Sequence, residues 1–262
     1  MIIDNPGVSF ACLVDDLSAA SILASSFKER NMVADVFIDV NPGMNRTGIP
    51  AGKSAEELYS FITVTENLRF AGLHAYDGHI KEPDFTKRKL LSDRGFDSVV
   101  QLRRKLEATM GQQVELIAGG SPTFPVHAAY VDRTCSPGTF IFWDHGYEVS
   151  CPDQPFLVSA VLLCRVISKP TIDTITVDLG HKAVAAENII ERRVYFPSDP
   201  DLIAISQSEE HLVLKTAGKK YEVGDVLYGI PYHICPTVAL YDRMVMVKDR
   251  IAKGDWVVER GR

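Results

Sequence analysis

The sequence lacks what several protein classes require. It has no unbroken apolar stretch near the roughly 20 residues that span a bilayer. The longest apolar run, 156–167, is interrupted by Arg165. Residues 1–25 have neither the basic start nor the apolar core of a secretory signal. No block of Lys and Arg stands out, and 28 basic against 34 acidic residues leave a net charge of −6. That balance argues against a nucleic-acid surface. There is no G-x-G-x-x-G, no G-x-x-x-x-G-K-[ST] and no H-E-x-x-H. Dinucleotide, P-loop and metalloprotease readings therefore have no support. Internal repeats and low-complexity linkers are absent. Cysteines are few and scattered: Cys12, Cys135, Cys151, Cys164 and Cys235. An odd, dispersed set points to reduced thiols in a cytosolic protein, with any special cysteine acting as a ligand or nucleophile.

What is present divides in two. Residues 1–155 alternate apolar, β-rich runs (8–14, 36–40, 68–76, 114–118 and 139–143) with helical stretches at 17–30, 54–65 and 86–110. Strands alternating with helices read as βαβ units around a parallel sheet. That they are nearly all apolar fits strands covered on both faces. Residues 156–262 change character: short strand-like runs at 156–167, 174–178, 202–206, 211–216, 226–227 and 237–247 follow without long helices between them. That is the pattern of a separate, mostly-β domain.

The loops after the early strands carry the chemistry. Glycines in Gly119-Gly120-Ser121-Pro122-Thr123 would let backbone N–H groups approach an anion, with hydroxyls adding donors. Ser136-Pro137-Gly138-Thr139 has the same ingredients. Two such loops at neighbouring late barrel strands could clamp one phosphate, although a tight turn accounts for either alone. Tyr76, at a strand end, could stack on a planar ring. Arg46 lies in a loop where it could meet a carboxylate, a phosphate or a ring heteroatom. In Pro231-Tyr232-His233-Ile234-Cys235, His233 and Cys235 would project to one side of an extended segment and reach one metal. Imidazole plus thiolate suits zinc, with open positions for water or substrate. His211 is a further candidate ligand, and a zinc hydrolase built on these three residues is one alternative reading.

In this order, DVNPGMNRTG (39–48), GLHAYDGH (72–79), GGSPT (119–123), SPGTFIFWD (136–144), QSEEH (207–211) and PYHICPT (231–237) resemble the D-threonine aldolase / D-serine dehydratase family. The resemblance runs from about residue 8 to the end. It implies an α/β fold: a partial alanine racemase-type (β/α)8 barrel of about the last five strands over 1–155, then a C-terminal β domain over 156–262. It implies pyridoxal 5'-phosphate as cofactor, with Ser121, Thr123, Gly138 and Thr139 at its phosphate, Tyr76 beside its ring and Arg46 facing it. His233 and Cys235 are implied as ligands of a divalent metal, Zn2+ or Mn2+. A His–Cys pair resembles the dehydratase branch more than the aldolase branch. The implied activity is a lyase on D-β-hydroxy amino acids, in a homodimer. One feature departs from the family. Its Schiff-base lysine lies near the end of the first barrel strand, and no motif here supplies it. The chain therefore reads as N-terminally truncated, and a non-catalytic remnant is a second alternative.

Overall fold

The computed structural model describes residues 2–260 and forms two compact units, Met1–Gly138 and Thr139–Arg262. In the first unit, strand β1 (Ala11–Val14) leads through helix α1 (Leu17–Lys28) to β2 (Ala34–Val40). Helix α2 (Lys53–Val64), β3 (Leu68–Ala75), α3 (Phe85–Met110) and β4 (Glu115–Ala118) follow, then the short α4 (Phe124–His127) and β5 (Thr134–Cys135). The helices begin and end where their capping residues dictate. Asp16 accepts from the amides of Ser18 and Ala19 at the start of α1, and Asp84 accepts from Lys87 at the start of α3. Gly111, at φ 68°, closes α3 in the left-handed conformation that glycine adopts without a Cβ penalty.

All five strands are parallel and lie in the order β1-β2-β3-β4-β5. A doubly wound sheet reverses its order partway; this one never does, which is the winding of a barrel wall. Val36, Ile38 and Val40 of β2, Leu73 and Ala75 of β3, and Leu116 and Ala118 of β4 pack against Leu58, Ile62, Phe96, Val99 and Leu102 of the helices. The alternate positions, including Asp39 and His74, occupy the other face of the sheet. There His74 Nδ1 meets Asp39 Oδ1 at 2.7 Å. The expected partial barrel of five strands is thus the architecture observed. Among the described residues, β1 pairs only with β2 and β5 only with β4.

The second unit opens on a 3-10 turn at Thr139–Ile141 and helix α5 (His145–Ser150). Six strands then form one sheet: β6 (Leu162–Thr171), β7 (Thr174–Val177), β8 (Val194–Tyr195), β9 (Ile203–Gln207), β10 (Leu212–Lys215) and β11 (Val226–Pro231), in the order β8-β11-β6-β7-β10-β9. Its pairings are antiparallel. A short helix α6 (Ile234–Val238) precedes a hairpin of β12 (Arg243–Lys248) and β13 (Ile251–Val257). Leu162, Cys164 and Val166 alternate inward on β6 and meet Ile175, Val177, Leu212 and Leu214.

Three expected strands are corrected. The run 139–143 is a 3-10 turn rather than a strand, and the fifth strand is Thr134–Cys135. Pro137 has no N–H to continue a ladder, and Trp143 sits at φ 50°, outside strand geometry. The run 237–247 splits into the end of α6 and β12. Within 156–167, only the part from Leu162 is a strand. Residues 139–155 lie in the second compact unit. No helix among the described residues is long and apolar enough to cross a membrane.

Candidate cofactor and metal sites

In the first unit the loops after β2, β3 and β4 are held rigidly. Asn41 Oδ1 accepts from the amides of Gly43 at 2.9 Å and Asn45 at 3.1 Å. Gly48, at φ 99°, lets the loop return so closely that a Cβ there would stand 2.7 Å from the Asn41 nitrogen. This loop carries Arg46, whose guanidinium lies 4.7 Å from the centre of the Tyr76 ring. The Tyr76 ring in turn rests on bare backbone: a Cβ on Gly120 would stand 2.5 Å from it. Ser136 Oγ donates to the Gly119 carbonyl at 3.3 Å, which joins the second Ser/Gly loop to the first.

Ser121 is buried, and Gly138 stands in open space. The Thr123 hydroxyl donates to the buried Asp77 carboxylate, so Thr123 braces the loop from within. Burial pushes the Asp77 carboxyl up, but hydrogen bonds from His127, Thr123 and Ser92 outweigh it and hold the group below its ordinary value. Sequence reasoning passed over Asp77, Ser92 and His127. Asp77 was in view, since it directly follows Tyr76; Ser92 and His127 sit in helices and carry no local signal. A cationic guanidinium, an aromatic ring and two glycine–hydroxyl loops form a donor set that fits a planar, phosphorylated cofactor.

In the second unit His233 is extended, at φ −141° and ψ 102°, immediately before α6, and Cys235 lies within that helix. The extended pairing expected for these residues is therefore replaced by a strand-to-helix step. The side chains remain neighbours, and each is the main cause that shifts the other: His233 lowers the Cys235 thiol and Cys235 raises the His233 imidazole from their ordinary values. His233 Nδ1 lies 2.7 Å from Glu187 Oε1. A carboxylate on one imidazole nitrogen is how metal-binding histidines are oriented, with the other nitrogen left for the metal.

Asp144 ties this segment down. It accepts from the Ile234 amide at 3.0 Å and the Tyr147 amide at 2.9 Å. Burial is the main cause that pushes its carboxyl up. Thr139, expected at a phosphate, places its hydroxyl 3.4 Å from Cys235 Sγ. His211 stands in the exposed turn between β9 and β10. Among the described residues no group of three or more His, Cys, Asp or Glu could hold a metal. The donor set is therefore an oriented His–Cys pair. It fits a metal with open coordination positions and does not fit a closed structural site. The zinc reading that used His211 loses its third ligand.

Residues 7–145 match the family model "Alanine racemase, N-terminal domain", and residues 159–247 match "Putative serine dehydratase domain". D-threonine aldolase of Arthrobacter sp. is 26% identical over 252 residues, which cover 94% of this chain and 65% of that protein. The chain thus spans about two thirds of the length of this relative. The crystal structure of D-threonine aldolase from Filomicrobium marinum is 23% identical, with a TM-score of 0.85 over 95% of this chain and 69% of that one. D-threo-3-hydroxyaspartate dehydratase from Delftia sp. HT23 is 19% identical, with a TM-score of 0.76 over 97% of this chain and 73% of that one. The two structural likenesses establish a shared fold.

Proposed function

The chain belongs to the alanine racemase N-terminal-domain family, and on that footing we propose that its two sites serve a pyridoxal 5'-phosphate- and divalent-metal-dependent lyase acting on D-β-hydroxy amino acids. The observation that carries this reading is the His233–Cys235 pair, oriented by Glu187. Racemisation needs only proton movement at Cα. Cleavage or elimination at Cβ also acts on the β-oxygen, and a divalent ion at an open two-ligand site would serve that oxygen. The names of the relatives, aldolases and a dehydratase of D-amino acids, point the same way.

The bound cofactor would supply an electron sink for charge developing at Cα, and the metal a Lewis acid at the β-oxygen. The chain's own residues bind and orient. Arg46 and Tyr76 face the cofactor ring. Ser121, Thr123 and Gly138 serve its phosphate, Thr123 by shaping the loop, while the Thr139 hydroxyl turns to Cys235. His233 and Cys235 hold the metal. No motif supplies a lysine, so no covalent role is assigned within this chain. Borohydride reduction in the presence of pyridoxal phosphate is accordingly expected to leave no stoichiometric pyridoxyl-lysine; a stable adduct of one per chain contradicts that assignment.

The His233–Cys235 pair supports the dehydratase branch, whose metal ligands it resembles, and His233 holds the Cys235 thiol below its ordinary value, toward the thiolate that binds zinc. The test is product analysis on protein loaded with pyridoxal phosphate and zinc and supplied with D-serine, D-threonine or D-threo-3-hydroxyaspartate. Elimination yields a keto acid and ammonia. Retro-aldol cleavage yields glycine and an aldehyde. Keto acid without glycine is the expected product pattern, and glycine in its place overturns the branch assignment.

A further inference from the structure

We propose that the hydrogen-bonded chain Arg133–His127–Asp77, buried at His127 and Asp77, is a positioning device that fixes the 119–123 loop and Tyr76 together as one preformed seat for the phosphate and ring of the cofactor. The inference rests on the cofactor reading above and adds residues that reading does not use.

The geometry assigns the protons. Arg133 Nη1 lies 2.8 Å from His127 Nδ1. A guanidinium only donates, so Nδ1 accepts and the ring proton sits on Nε2. Nε2–H then donates to Asp77 Oδ2 at 3.0 Å. Ser92 Oγ donates to the same oxygen at 2.8 Å, and Thr123 Oγ1 donates to the other. The carboxylate and the imidazole are both 0% exposed. A fully buried carboxylate is tolerated when its oxygens are hydrogen-bonded and a countercharge is near. Here the countercharge is Arg133, one imidazole away. Arg133 is itself held over the Tyr130 ring, 3.8 Å from its centre.

What this charge holds together distinguishes it from ordinary core packing. Asp77 follows Tyr76 directly and fixes the residue at the end of the Gly-rich loop. His127 fixes the loop's beginning, since a Cβ on Gly119 would stand 2.3 Å from its Cδ2. Gly120, between them, is moulded to the Tyr76 ring. Three helix or loop segments thus converge on one carboxylate: Ser92 from α3, Thr123 from the loop and His127 from α4. Preorganising a binding shell from rigid elements is what makes such a shell effective.

The test compares two ligands on the full chain. Pyridoxal phosphate and pyridoxal share the ring and differ in the phosphate. Their affinities are measured by equilibrium dialysis for wild type, Asp77→Asn and Ser92→Ala, with zinc content as an internal control. Asp77→Asn is expected to weaken pyridoxal phosphate about tenfold or more and pyridoxal, which keeps only the ring contacts, clearly less, while leaving zinc unchanged. Ser92→Ala, which keeps the charge and removes one donor, is expected to weaken pyridoxal phosphate about threefold. Should Asp77→Asn fail to fold, Ser92→Ala decides. Equal loss for both ligands means a merely structural role and overturns the proposal. Wild type that favours pyridoxal phosphate, with variants that bind it equally well, overturns the proposal alone. Wild type with no preference for pyridoxal phosphate overturns the cofactor reading and this proposal with it.

Discussion

Replacing His233 by alanine is expected to empty the metal site, with zinc affinity falling by more than about 100-fold. The scale follows from metal sites in general, where losing an outer partner of a ligand already costs about 10–100-fold. Glu187→Gln sets that lower mark here. It leaves both ligands in place and removes the carboxylate charge that orients the imidazole through Nδ1. The expected order is therefore wild type, then Glu187→Gln, then His233→Ala, read as zinc retained after dialysis. The pH dependence has a definite sign. The metal takes neutral imidazole and thiolate. Because His233 is raised above its ordinary value, protons compete for it more strongly than for a free imidazole, and zinc retention falls as pH drops through that raised value. Retention that does not respond to His233→Ala places the metal elsewhere.

Gly119→Ala is expected to be the most destabilising single-methyl change in the cofactor loop. Gly119 sits at φ 76°, where a side chain costs about 1–2 kcal/mol. A Cβ there would also stand 2.3 Å from the buried His127 ring, and overpacking of this kind costs about 1–3 kcal/mol. Together the two effects amount to about 2–5 kcal/mol, a large part of the roughly 5–15 kcal/mol that holds a domain folded. Gly138→Ala provides the contrast. A Cβ there meets nothing within 4 Å, so the change is expected to stay within about 0.5 kcal/mol. Denaturant unfolding of both variants, followed by far-UV circular dichroism, checks the difference. Equal stability of the two would show that the Gly119 backbone is not fixed by His127.

The residues explain which features were readable from sequence. The wall of the partial barrel was legible because its strands are mostly apolar and alternate with helices, as in Ala34–Val40, where only Asp35 and Asp39 break the run. The segment after Cys135 was not. Phe140, Ile141, Phe142 and Trp143 are as apolar as any strand, and only Pro137 and the φ of 50° at Trp143 separate a turn from a ladder. Short apolar runs do not reveal their periodicity. Arg46 and Tyr76 were visible because each stands at a polar, glycine-bearing loop after a strand, and His233 and Cys235 because they lie two apart in a short segment bounded by Pro231 and Pro236. Glu187 and Asp144 reach the His233 segment from far away in sequence, across 46 and 90 positions. Ser92 and His127 reach Asp77 across 15 and 50. Contacts at such separations exist only once the chain is folded, so no local pattern could announce them.

The metal site proposed here rests on one imidazole, His233, and one thiolate, Cys235, with open coordination positions. X-ray absorption at the zinc edge of the zinc-loaded chain tests it most directly. One sulfur at about 2.3 Å and a nitrogen at about 2.0–2.1 Å are expected, with oxygen completing the shell. The sulfur should vanish in Cys235→Ser. A shell without sulfur, or one closed by four protein nitrogen and sulfur ligands, would contradict it.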